Sequence, residues 1–185
     1  MFEVSFGKYK VLYQMNELPS LFHEYVEGAR LAEKFDLSES EGSICFFAVG
    51  ESFSMPVLVI AQRCIPGEEL YSHPGALIVP ETDILFIGGG RRVLAYDLAG
   101  PSRIWEDTAD AGFQGWDRFG DFVLMSAELE LAAWDIHAKK LWSTFVETWW
   151  SYTVAENTVH LDVMGEKYEF PLDVGPGEKP PWKKW

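Results

Sequence analysis

A mainly-β chain of antiparallel repeats in an open stack, with one helix near its N-terminus, is the fold class that three observations predict. The first is an internal repeat. Asp83-Ile84-Leu85-Phe86-Ile87, Val93-Leu94-Ala95-Tyr96-Asp97-Leu98 and Arg103-Ile104-Trp105 recur as Asp121-Phe122-Val123-Leu124-Met125, Leu131-Ala132-Ala133-Trp134-Asp135-Ile136 and Lys140-Leu141-Trp142. The offset is 38 residues from Asp83/Asp121 through Leu98/Ile136 and 37 at Trp105/Trp142. A fixed period of this length marks a supersecondary unit that cannot bury its apolar face alone and stacks on its neighbours. The second is a series of short apolar runs bounded by Gly, Ser and Pro, the pattern of buried strands. The third is composition: 48% hydrophobic and 15% aromatic residues over 185 positions supply a sizeable core and argue against disorder.

The elements follow in chain order. Met1 to about Tyr13 alternates loosely and reads as a strand or hairpin turning at Gly7-Lys8. Leu18, Phe22, Tyr25, Val26, Ala29, Ala32 and Phe35 fall mostly at steps of three and four, with Pro19 suited to a first turn, which predicts an amphipathic helix over 19–35. Ile44–Val49 and Pro56–Ala61 read as buried strands. Gly75–Pro80 opens the repeat region, in which strands are expected near 84–87, 92–98, 122–126 and 129–136. A third, weaker copy follows at Asn157–Leu161 and Tyr168–Phe170, with Phe170 in the place of Trp134. Residues 1–174 are read as a single domain, and 175–185, rich in Pro and Lys, as a flexible tail.

The repeating unit is a strand, a turn, a strand ending in aromatic-Asp-apolar, a second turn and a basic-apolar-Trp segment. Over roughly residues 76–172 it resembles a blade of quinoprotein-type β-propellers. That resemblance implies a Gly in the turn after the Asp and a Trp packed between neighbouring blades. Tyr96-Asp97-Leu98-Ala99-Gly100 keeps the Gly, whereas Trp134-Asp135-Ile136-His137-Ala138 replaces it with Ala138. A non-Gly residue at positive φ costs about 1 kcal/mol, so the second turn is expected to take another shape. Closed propellers typically need about four to eight blades, and this chain shows two clear copies and one degraded one. An open stack or incomplete propeller is therefore expected instead of a ring. The residues around Leu124–Trp142 and Phe145–Gly165 also look like a family of uncharacterised bacterial proteins, a resemblance that implies no activity.

Charge narrows the function classes. The formal net charge is −14, which repels nucleic-acid phosphates and anionic membranes and favours a basic partner. From Ile104 to His160 ten acids, among them Glu128 and Glu130, face three bases. No apolar run reaches the roughly 18 residues of a membrane span. The N-terminal residues lack the features of a signal peptide. Cys45 and Cys64 belong to no motif and read as buried free thiols. A cytoplasmic protein is the expectation.

No constellation names a reaction, and no cofactor or metal is indicated. Gly88-Gly89-Gly90-Arg91-Arg92 has neither dinucleotide nor P-loop spacing and reads as a hairpin turn. His23, His73, His137 and His160 are scattered, Ser126 and Ser151 lie outside any nucleophile elbow, and Cys64 has no base near it in sequence. Glu128 and Glu130 alternate with Leu129 and Leu131, which predicts one solvated strand face. Trp105, Trp134 and Trp142 are expected in the core, while Trp149 and Trp150, if they lie on a strand, face opposite ways, so that either one is exposed or both are buried between stacked sheets. The expected function is a non-catalytic, acidic interaction protein binding a basic protein partner, as an immunity-type inhibitor of a basic toxin does. The partner-binding candidates are Glu128, Glu130, Trp149, Trp150 and Tyr152. A small-ligand or carbohydrate-binding module using Trp149, Trp150 and Tyr152 as a stacking platform is the alternative. A homo-oligomer that closes the strand edges is compatible with either.

Overall fold

In the computed structural model, residues 2–39, 41–64, 74–178 and 180–182 are described. His73 lies outside the described residues. The described residues form four sheets stacked face to face. The first holds β1 (Phe2–Phe6), β2 (Tyr9–Met15), β3 (Leu31–Phe35), β4 (Ile44–Gly50) and β5 (Leu58–Arg63) in the order β1-β2-β4-β5-β3. The second is the meander β6 (Gly75–Val79), β7 (Ile84–Gly89), β8 (Arg92–Asp97) and β9 (Ser102–Thr108). The third repeats it as β10 (Phe113–Phe119), β11 (Phe122–Ala127), β12 (Glu130–Asp135) and β13 (Lys140–Phe145). The fourth is the shorter β14 (Trp150–Ala155), β15 (Thr158–Val163) and β16 (Glu166–Pro171). This is the expected mainly-β stack of blade-like repeats.

Burial explains why the central strands read as continuous apolar runs. In β7 and β8 alternate residues face opposite neighbours: Leu85, Ile87, Leu94 and Tyr96 pack with the first sheet, whereas Phe86, Val93 and Ala95 pack with Val123, Met125 and Trp134 of the third. Leu124, Leu131 and Ala133 then pack with Val159, Leu161 and Phe170 of the fourth. A strand buried on both faces has no polar face to show. The ends of the stack differ. The first sheet covers its outer face with a helix, through Phe22, Tyr25 and Val26 on Phe46 and Ala48. The fourth turns Ser151, Thr153, Asp162, Lys167 and Glu169 outward, the polar cap that a stack needs where it ends.

The helix corrects the sequence reading. It spans Phe22–Gly28 only, and residues 31–35 form β3, parallel to β5 from Leu31↔Leu58 to Phe35↔Gln62. Leu31-Ala32-Glu33-Lys34-Phe35 runs apolar, apolar, charged, charged, apolar, so it carries no period-two strand signal against the helical spacing through Ala32 and Phe35. Tertiary pairing makes it a strand. The amides of Arg30 and Leu31 donate to the carbonyls of Pro56 and Val57 at 3.1 Å, and Gly28 lies so near Ser54 that a Cβ there would be 3.0 Å from its carbonyl oxygen.

The repeat is carried by equivalent bonds in successive sheets. Leu98 N–H donates to Asp83 O, Ile136 N–H to Asp121 O and Leu172 N–H to Asn157 O, at 2.9–3.1 Å. Asp97 Oδ1 accepts from the amides of Ala99 and Gly100, and Asp135 Oδ1 from those of His137 and Lys139, so the repeated Asp organises the turn that follows it. The repeated Trp then locks one sheet to the next. Trp105 Nε1 donates to Ala138 O and its ring stacks on Trp134 at 5.3 Å; Trp142 Nε1 donates to Leu172 O and its ring meets the edge of Phe170 at 5.5 Å. The turn at Ala138 differs from the expectation in an informative way. Ala138 is the residue at positive φ (62°), whereas Gly100 is not in that region. The bond from Trp105 holds the Ala138 carbonyl in place and offsets the strain.

In the described part of the tail one side chain is anchored. Trp182 is buried, donates from Nε1 to Phe145 O at 2.9 Å and packs on Tyr168 and Phe170. A large apolar ring placed beside a half-covered sheet edge outweighs the Pro-rich composition around it.

Candidate functional site

The most exposed large apolar side chains in one neighbourhood are Trp149 and Met164, at the end of the fourth sheet. The chain reaches it just after β13, where Val146 is buried and bonds through its amide to Leu129 O at 3.0 Å. Glu147, Thr148 and Trp149 then cross to β14. Trp149 takes a φ of 66° and is 88% exposed. A bulky residue in the left-handed region is an outlier that surrounding contacts must hold. Here its carbonyl accepts the Met164 amide at 3.1 Å. Met164 begins the two-residue turn between β15 and β16, with Met164 at 55° and Gly165 at 89°, and is 68% exposed. Asp162 Oδ1 fixes that turn by accepting from Gly165 N–H at 2.8 Å.

Two carboxylates lie on the Met164 side of the pair. Glu147 and Glu166 line, with Val163, Met164, Tyr168 and Trp182, an open depression of about 260 Å³. Tyr168 donates to Glu166 Oε2, and that bond holds its phenol above the ordinary tyrosine range. Glu128 stands beside this end, since its carbonyl accepts from Trp150 Nε1 at 3.0 Å. An exposed Trp–Met pair with an acidic rim offers an apolar anchor and a place for cationic side chains, over the indole face or beside the carboxylates.

The five sequence candidates are not one surface. Trp149 is exposed, but it lies in the bend before β14 and not on a strand, so strand alternation does not account for its exposure. Trp150 and Tyr152 are half-buried between the third and fourth sheets and stack on each other at 5.9 Å. Tyr152 donates to Asp117 Oδ2 at 2.7 Å; burial first, and that bond second, push its phenol well above the ordinary range. Glu128 and Glu130 do not share a strand face, because Glu128 lies in the turn before β12. Glu130 is 8% exposed, accepts from Asp110 N–H through Oε2 and lies 4.0 Å from Lys140 Nζ. Burial raises its carboxyl above the usual range. The expected solvated pair is thus one half-buried turn residue and one structural carboxylate. Met164 escaped the sequence reading, because a Met in a hairpin turn carries no periodic signal. The detectable signal was Gly165 after it, which marks the turn.

The remaining sequence features resolve structurally. Gly88–Arg92 is the hairpin between β7 and β8: a Cβ on Gly88 would sit 2.4 Å from the Phe113 ring, one on Gly89 2.3 Å from Gln62 Nε2, and Gly90 has a φ of 60°. His160 Nδ1 lies 3.0 Å from Glu169 Oε1 on the outer face of the fourth sheet, and Ser126 Oγ donates to Gly115 O. Among the described residues no group of three or more His, Cys, Asp or Glu side chains is placed to hold a metal ion, and no helix is long and apolar enough to cross a membrane.

No protein-family model and no curated protein matches the chain. Among solved structures it is similar to BamB from Moraxella catarrhalis, with a TM-score of 0.42 and 10% identity over 78% of this chain and 46% of that one. It is also similar to Hsv2 of Kluyveromyces lactis, with a TM-score of 0.31 and 11% identity over 60% of this chain and 35% of that one. The chain spans less than half the length of these structures.

Proposed function

We propose that the protein is a non-catalytic interaction module that binds a basic protein partner at the Trp149–Met164 end of the stack. The observation that carries this reading is Trp149 itself, 88% exposed and held at a φ of 66° beside an exposed Met164. Folding gains nothing from an indole in water, and a strained backbone adds about 1 kcal/mol or more, so the position makes sense if a partner covers it. The acidic rim and the net charge of −14 select a partner of opposite sign and speed its approach. An immunity-type inhibitor of a basic toxin is the form of this reading that fits the charge best. The kinship of residues 76–172 with quinoprotein-type blades belongs to the same proposal, supported by the Asp-centred turns and the Trp lock.

The carbohydrate reading loses support because Trp150 and Tyr152 stack on each other and commit both polar atoms to internal bonds, which leaves Trp149 as the fully exposed ring. The test uses two baits, wild type and a Trp149→Ala/Met164→Ala double variant, with recovered proteins identified by mass spectrometry. A basic protein retained by wild type at low salt and absent from the variant supports the reading. Equal recovery on both baits, or none on either, contradicts it.

A further inference from the structure

The two cysteines are 19 positions apart in sequence, yet their sulfurs lie 3.4 Å from each other in the core. Cys45 sits opposite Gln62 in the β4–β5 ladder, and Cys64, just past β5, continues that ladder through its amide to Ser43 O at 2.9 Å. Both side chains therefore turn to the same face, toward the second sheet. The frame around them is tight, since a Cβ on Gly42 would fall 1.8 Å from the Cys64 carbonyl oxygen. A disulfide needs its sulfurs about 2.05 Å apart, so the pair must close from 3.4 Å to bond. The two thiols are not equivalent. Cys45 is fully buried, whereas Cys64 is 5% exposed and lines an open depression of about 130 Å³ between the first two sheets. That space admits a molecule the size of water or hydrogen peroxide. Arg63 lines it too, and its buried Nε has no hydrogen-bond partner among the described residues.

We propose that Cys45 and Cys64 form a modification site, an intramolecular disulfide made by a hydroperoxide, with Cys64 the attacking sulfur and Cys45 the resolving one. Cys64 gives up its proton and its Sγ attacks the outer oxygen of the hydroperoxide. The S–O bond forms, the O–O bond breaks, and the leaving oxygen takes the proton as an alcohol, or as water from hydrogen peroxide. Cys45 Sγ then attacks the Cys64 sulfenic sulfur. The S–S bond forms, the S–O bond breaks, and hydroxide leaves with the Cys45 proton as water. Two thiols lose two electrons and two protons, and the peroxide bond accepts both electrons. The product ties β4 to the chain just beyond β5 and stands independently of the partner reading.

The test treats the purified, reduced full chain with one equivalent of hydrogen peroxide. Intact mass, free-thiol titration and thermal melting are then measured. The expected result is loss of both thiols together and a mass lower by two hydrogens, reversed by dithiothreitol. Closing a loop of this length should raise the melting temperature by about 6–12 °C. The variants assign the order: Cys45→Ala should accumulate a sulfenic acid at Cys64 that dimedone traps, and Cys64→Ala should give little adduct at Cys45. Addition of oxygen without loss of two hydrogens, a disulfide between two chains, or native thiols that stay free while the denatured chain reacts would each overturn the proposal. A dimedone adduct on Cys45 in Cys64→Ala but none on Cys64 in Cys45→Ala would overturn the assignment of the attacking sulfur.

Discussion

Truncating Trp142 should remove the lock between the third and fourth sheets. The indole is 9% exposed, meets Phe170 edge-on at 5.5 Å and donates to Leu172 O at 2.6 Å. The Gly175 backbone lies against it, so that a Cβ there would be 2.5 Å from the ring. Replacing a buried Trp by Ala costs about 3–5 kcal/mol, and an acceptor left unpaired places this site toward the upper end. Trp142→Ala is expected to lose about 4–5 kcal/mol, which for a chain of this size lowers the melting temperature by about 8–20 °C. Trp142→Phe keeps a ring but deletes the donor and should lose about 1–3 kcal/mol. Trp105 makes the same bond to Ala138 O from a half-exposed position, so Trp105→Ala should cost less, about 2–3 kcal/mol. Urea titrations of the three variants beside wild type measure these differences. If Trp142→Ala unfolds within about half a kcal/mol of wild type, the range of an ordinary surface substitution, the indole does not lock the sheets and the repeat is not a packing unit.

Glycine substitutions separate close packing from turn chemistry. Gly88→Ala drives a Cβ into the Phe113 ring and should cost about 1–3 kcal/mol or more, whereas Gly100→Ala meets only an ordinary contact with Asp97 Oδ2 at 3.9 Å, at an ordinary φ, and should be neutral or gain up to about 1 kcal/mol in a thermal melt. Glu130→Ala, which strands the Asp110 amide, should cost about 1–3 kcal/mol. Glu130→Gln keeps an acceptor and should gain on wild type as pH rises above about 4.5, because burial raises the native carboxyl and ionising it opposes folding. At alkaline pH the phenols of Tyr96 and Tyr152, both raised by burial and by a carboxylate partner, stay protonated in the folded chain and ionise in the unfolded one. Stability should therefore fall above about pH 10, by about 1.4 kcal/mol per pH unit for each phenol. Tyr152→Phe should flatten that slope in denaturant titrations across the range.

What the sequence disclosed followed from which forces act locally. The repeat at Asp83/Asp121 and Trp105/Trp142 was legible because each copy makes the same turn, ladder and lock, and equal physics leaves equal residues. The β3 segment was not legible as a strand. Its residues follow the helical spacing and show no period-two alternation, and only the partner β5, distant in sequence, makes it a strand. Strand β10 was equally hidden, since Gly115 and a register shift between Phe113 and Gly115 break its alternation. At the candidate site neither the exposure of Trp149, which lies off the strand, nor the burial of Glu130 was legible. Alternation predicts a face only where a strand continues, and the turn at Glu128–Leu129 interrupts it. The closeness of Cys45 and Cys64 depends on the β4–β5 register, which no local signal in the sequence specifies.

The most direct measurement of the central claim is a calorimetric titration of the recovered basic partner into wild type and into Trp149→Ala, each at about 0.05 M and 0.5 M salt. An indole anchor at the centre of an interface carries at least about 2 kcal/mol, so the variant should bind at least about thirtyfold more weakly at either salt concentration. Raising the salt should weaken both proteins by a similar factor, because the acidic rim is intact in each. An unchanged affinity for Trp149→Ala would contradict the account, and so would an affinity for wild type that does not respond to salt.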